Sequence, residues 1–170
     1  MTWFTVLAAA CSAACTPTLD WREFVPEGSK VGVAFPCRPD RLERAVVIAG
    51  ETAQMQMLVC TAADMTFAVS FFDVADPARV AVSLKELRTV AVRNVNGAAP
   101  QLSLLQVKGM TPNEEASRVT IDGKLPDGAV VREHAAFFAY GLRVYQATVI
   151  GANPVPQAVQ SFFDGLKFPA

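Results

Sequence analysis

The chain reads as an α+β domain, an antiparallel sheet with helices packed against it, and three observations carry that reading. Short runs rich in Val, Phe and Ile recur between Val31 and Ile150, separated by glycine, proline and asparagine turn signals. Only two segments show apolar residues at helical spacing, one after Asp76-Pro77 and one near the C-terminal end. The resulting order is strands, helix, antiparallel strands and a closing amphipathic helix. At 170 residues and 52% hydrophobic content, with no internal repeat, this is one domain with a filled core.

The elements follow in order. Thr16-Pro17-Thr18 forms a tether, and Trp21 and Phe24 anchor the segment after it. Pro26-Glu27-Gly28 marks a turn before the strand Val31-Gly32-Val33-Ala34-Phe35, which Pro36 ends. Val46-Val47-Ile48 and Met55-Gln56-Met57-Leu58-Val59 make a hairpin turning around Gly50-Glu51. From Met65 to Val74, Phe67, Val69 and Phe71 share one face while Ala68, Ser70 and Phe72 share the other. Apolar groups on both faces predict a central strand covered on both sides.

Asp76 then caps the first helix, with Pro77 at its first position. Val80, Leu84 and Leu87 form its buried stripe, and Lys85, Glu86, Arg88 and Arg93 suit its solvent face. Leu102 to Val107, Ala116 to Ile121, Ala129 to Tyr140 and Leu142 to Ile150 are the remaining strands, the last two forming a long hairpin. Asn153-Pro154 caps the closing helix, whose apolar positions include Ala158, Val159, Phe162, Phe163 and Leu166.

A formal net charge of −1 with 18% charged residues excludes a polybasic nucleic-acid surface, an acidic tail and wholesale disorder. The mean hydropathy of +0.29 looks membrane-like. No window reaches ~18 consecutive apolar residues, which argues against a spanning helix.

The apolar excess is concentrated at the N-terminus, where the first charged side chain is Asp20. Trp3 to Ala10 has the size of a signal-peptide apolar region. It leads into Ser12-Ala13-Ala14-Cys15, small residues ahead of a cysteine, which resembles a bacterial lipobox with Cys15 as the acylated first residue of the mature chain. Ala8-Ala9-Ala10-Cys11 is a second candidate; Cys15 is preferred because cutting before Cys11 leaves a very short apolar region. No Lys or Arg precedes Arg22, so a basic leader is missing, and a buried Ala-rich helix in a cytosolic protein is the alternative. The resemblance implies a signal peptide over 1–14, a lipidated tether over 15–29 and a domain over 30–170. Thr16 at the sorting position implies the periplasmic face of the outer membrane.

Export leaves Cys37 and Cys60 as the thiols besides the lipidated one. In an oxidising compartment they are expected to form a structural disulfide clipping the early sheet. A redox pair is the alternative, without a C-x-x-C motif to support it.

Three pieces carry a further likeness. Val31 to Pro36 followed by Pro39, Phe67 to Asp73 leading into Asp76-Pro77, and Leu142 to Val149 before Ala158 to Leu166 together resemble the PsbP-like fold. That fold is shared by extrinsic photosystem II proteins and Ran-binding Mog proteins. The combination with Leu19-Asp20-Trp21-Arg22-Glu23 is similar to small proteobacterial lipoproteins. The resemblance covers residues 30 to 168 and implies an α/β/α sandwich that acts as a binding or assembly partner. It brings no catalytic site, photosystem role or Ran binding with it.

Residues able to do chemistry are sparse. His134 is the one imidazole; on a strand it shares a face with Arg132, while Glu133 points to the other. Arg132, His134 and Arg143 are the candidate ligand-binding residues, with the two arginines facing one another across the last hairpin as an anion patch. Phe137, Phe138, Tyr140 and Tyr145 crowd the same hairpin, as core first and as a ligand groove second. Asp73 and Asp76 read as strand-end and cap residues, and Glu114-Glu115 as loop residues. Asp122 and Asp127 lack calcium-loop spacing. Neither a metal site nor a cofactor motif is recognisable.

The expectation is therefore a non-catalytic envelope lipoprotein, anchored to the membrane by lipid, that presents a small domain to an envelope protein partner. The alternatives are a periplasmic carrier or enzyme using the hairpin around residues 132–145, and a cytosolic interaction protein with a structural N-terminus.

Overall fold

The computed structural model describes residues 19–169, so the signal-peptide segment, Cys11, Cys15 and Thr16 lie outside the described residues. The early strands are β1 (Arg22–Phe24), β2 (Val33–Phe35), β3 (Asp40–Ile48), β4 (Glu51–Ala62) and β5 (Met65–Asp73). Helix α1 (Ala78–Asn94) separates them from β6 (Gln101–Ser103), β7 (Ser117–Lys124), β8 (Val130–Tyr140) and β9 (Arg143–Gly151), and α2 (Pro156–Asp164) closes the domain. Strands β3 to β9 form one sheet in the order β3-β4-β5-β9-β8-β7-β6, every neighbouring pair antiparallel. This is the expected mixed α+β fold.

The sheet is covered on both faces, as the two-sided apolar pattern of β5 predicts. Phe67, Val69 and Phe71 join Tyr145, Ala147 and Val149 of β9 under α2 and the β1–β2 ribbon. Phe72, Phe137 and Val144 point the opposite way, against Leu84, Leu87 and Ala91 of α1.

Asp76 starts α1 as expected: its Oδ1 accepts the amide N–H of Ala78 at 2.7 Å, and Pro77 already holds helical angles. Helix α2 starts differently. Asn153 does not cap it; Val155 is extended, and the helix begins at Pro156 with no side-chain cap. A residue before proline is driven out of the helical region, so Pro156 sets the boundary.

Strands β3 and β4 extend well beyond their apolar runs. Asp40 pairs with Val59 and Ile48 with Glu51, so the turn is Ala49-Gly50, both at positive φ, and Glu51 already belongs to β4. The positive φ at both central residues matches the right-handed twist of a two-residue hairpin. Strand β3 lies at the sheet edge, where charged side chains such as Arg41, Glu43 and Arg44 are tolerated and discourage further pairing. At the opposite edge β6 is only three residues long. The chain then leaves the sheet, bringing Val107 into the core and Lys108 beside Lys167.

Residues 19–29, expected as tether, lie on the domain. The Asp20 amide donates to the Pro36 carbonyl at 2.9 Å, and β1 pairs with β2. Trp21 packs edge-on to Phe67, and Phe24 stacks on Phe35. These aromatic contacts extend the folded unit about ten residues ahead of residue 30.

Candidate functional site

The β8–β9 hairpin separates the predicted arginines. Arg143 sits beside its turn, opposite Tyr140, while Arg132 stands at the far end, opposite Gly151. The expected anion patch across the hairpin does not form, because the antiparallel register places the two residues at opposite ends.

Each arginine instead holds a carboxylate. Arg132 donates through Nε and Nη2 to both oxygens of Asp122, its neighbour on β7, at 2.6 and 3.2 Å. Arg143 grips both oxygens of Asp73, its neighbour on β5, at 2.7 and 2.6 Å and lies over the Phe71 ring. The fork of a guanidinium matches a carboxylate in this two-bond geometry. These bonds hold the Asp73 and Asp122 carboxyls below the usual carboxylate range.

His134 faces Thr120 on β7, with Nδ1 3.0 Å from its hydroxyl. Burial lowers its pKa, and Arg118 and Arg132 lower it further, so the ring is neutral at pH 7. Glu133 points through the opposite face, as the alternation predicts, and cannot orient it. A neutral imidazole bonded to a hydroxyl, with Arg132 committed to Asp122 and Arg118 lying over the Phe163 ring, does not form a nucleophile with its base.

Three of the four hairpin aromatics are core, while Tyr140 is exposed and stacks on Phe168. Phe137, Phe138 and Tyr145 are fully buried, and Phe138 stacks on Tyr145 with centroids 5.2 Å apart. The Tyr145 hydroxyl donates to the Ser29 carbonyl, and burial pushes its pKa upward. Packed rings occupy the space in which a ligand groove was conceivable.

Cys37 and Cys60 are disulfide-bonded, as expected, tying the chain after β2 to β4. Beside the bond lies a surface groove of about 690 Å³, lined among others by Phe24, Arg38 and Leu58. Its other arginines are engaged: Arg22 with Asp20, and Arg41 with Glu27 and Gln56.

A second groove, of about 420 Å³, opens between α1 and the β3–β4–β5 side of the sheet. Three polar side chains lie in its sheet floor: Ser70 on β5, its register partner Gln146 on β9, and Thr148 two residues further along β9. Gln146 donates to the Thr148 hydroxyl at 3.1 Å. Ser70 is only 6% exposed and lines this floor. Arg44 from β3 and Arg93 from α1 stand at the walls. Next to this floor, Glu133 is buried on β8; burial raises its carboxyl to about 7, and a hydrogen bond with Thr148 acts in the opposite direction.

Sequence reasoning missed this groove. The available signal was the polar residues Ser70, Gln146 and Thr148 on strands otherwise apolar on both faces. Seeing that they meet requires the β5–β9 register.

Among the described residues, no helix is long and apolar enough to cross a membrane, and no cluster of three His, Cys, Asp or Glu side chains forms. No protein-family model matches the chain, and no curated protein matches it.

Proposed function

We propose that this chain is a non-catalytic lipoprotein of the cell envelope. Acylated Cys15 tethers a PsbP-like α+β binding domain to the periplasmic face of the outer membrane, where it meets a protein partner. The Cys37–Cys60 disulfide is the observation that carries this reading, because such bonds persist in oxidising compartments and are rare in a reducing cytosol. The charge-free stretch ahead of Cys15, ending in Ser12-Ala13-Ala14, supplies the export and acylation signal.

Support for the PsbP-like assignment comes from the three motif pieces. They fall on β2, on β5 leading into α1, and on β9 leading into α2. Support for a binding role comes from the engagement of Arg132, His134 and Arg143 in contacts within the sheet. The carrier or enzyme built on the hairpin loses its groove to packed aromatics. The disulfide counts against a cytosolic protein with reduced thiols.

Metabolic labelling with a clickable palmitate analogue tests the anchor. The wild type and Cys11→Ala should take up label, and Cys15→Ala should not. Equal labelling of wild type and Cys15→Ala overturns the assignment.

A further inference from the structure

The groove beneath α1 carries two arginines and no acidic residue in its lining. Six arginines of the domain pair with a carboxylate: Arg22, Arg41, Arg79, Arg88, Arg132 and Arg143. Arg44 and Arg93, on opposite walls of this groove, have no such partner among the described residues, as Arg38 and Arg118 elsewhere have none, but here both face one groove and no carboxylate lines it. Glu43 alternates to the other face of β3, and Glu86 on α1 is not part of the lining.

The floor is equally unusual. A covered sheet face gains most from apolar side chains, yet the centre of this one carries Ser70, Gln146 and Thr148. Ser70, more than nine-tenths buried as a residue, lines the groove. Around these polar groups, Met55, Met57, Leu87 and Val90 give the groove apolar walls.

We infer that this groove binds a small amphipathic carboxylate, its acid group held by Arg44 and Arg93 and its aliphatic part laid against the methionines and α1. Guanidiniums on two walls suit the forked carboxylate. A volume of about 420 Å³ fits a ligand of about ten to fifteen heavy atoms. A single negative charge is favoured over a doubly charged phosphate monoester. Arg93 and Asn94 belong to the last turn of α1, whose carbonyl dipoles oppose accumulated negative charge. This site is independent of the lipid anchor: it can fail while Cys15 is acylated, and hold if it is not.

The test is calorimetric titration of the full chain carrying Cys11→Ser and Cys15→Ser, disulfide formed and no detergent present. The probes are decanoate, acetate, decyl phosphate and decyltrimethylammonium. Decanoate should bind one to one, more tightly than decyl phosphate, with no saturable binding of acetate or the cation. Arg44→Ala and Arg93→Ala, both on exposed side chains, should each weaken decanoate about tenfold without changing the unfolding temperature. Arg38→Ala, in the other groove, should leave binding unchanged. Ser70→Leu, which fills the floor, should abolish it.

Absence of saturable decanoate binding overturns the inference. So does equal binding of the cation, or affinity indifferent to Arg44 and Arg93 but lost in Arg38→Ala. Tighter binding of decyl phosphate overturns the choice of a monoanion.

Discussion

Glu133 stands between Arg132 and His134 in sequence, but its side chain lies on the opposite face of the sheet, under α1. It is the one acidic residue among the buried polar side chains of the described residues. Burial raises its pKa from 4.5 to about 7, so the native state retains a proton that the unfolded chain releases. The sign follows from that difference. The stabilising contribution is complete below pH 4.5 and is lost as pH rises through about 7. Across that interval it amounts to roughly 3 kcal/mol. Glu133→Gln cannot ionise and should escape the loss. Denaturant unfolding at pH 4.5 and pH 8 should show the variant gaining about 3 kcal/mol on the wild type between the two conditions. A stability difference independent of pH would contradict a buried, proton-holding Glu133.

At the scale of elements, the disulfide joins two segments that pairing does not connect. β2 belongs to the two-stranded ribbon and β4 to the large sheet, and the Cys37–Cys60 bond links the layers. The bonded cysteines are 23 residues apart in sequence. Closing a loop of that order removes about 3 kcal/mol of unfolded-state entropy in the chain-entropy model. The double variant Cys37→Ala/Cys60→Ala should therefore lose about 3 kcal/mol in denaturant unfolding, and reductant should destabilise the wild type by a similar amount. Equal stability of oxidised and reduced protein would remove the bond from the stabilising set.

Element boundaries show where local sequence stops being informative. Asp76-Pro77 marked the start of α1 because its signals are local, a side-chain oxygen and a fixed φ. The start of α2 was displaced because two prolines compete there, and the restriction on the residue before the second prevails. β3 was legible only at its apolar end. Edge position, which permits Asp40 to Arg44 in a strand, is settled by pairing elsewhere in the chain.

On the scale of the whole molecule, one seven-stranded sheet separates two cores. One lies under α1, the other under α2 and the β1–β2 ribbon. The two-faced composition of β5 anticipated that layering, because periodicity reports burial directly. The meeting of side chains across strands was not legible, because it depends on register. Arg132 and Arg143 share a hairpin yet stand at its opposite ends, while Ser70 and Gln146, 76 positions apart in sequence, are neighbours.

Intact mass spectrometry of the native protein extracted from membranes tests the proposed lipoprotein most directly. The proposal predicts a chain whose first residue is acylated Cys15, with residues 1–14 removed. Its mass should be two hydrogens short of the reduced form, the deficit mapping to Cys37 and Cys60. An unacylated chain retaining residues 1–14, with both thiols reduced, would contradict it.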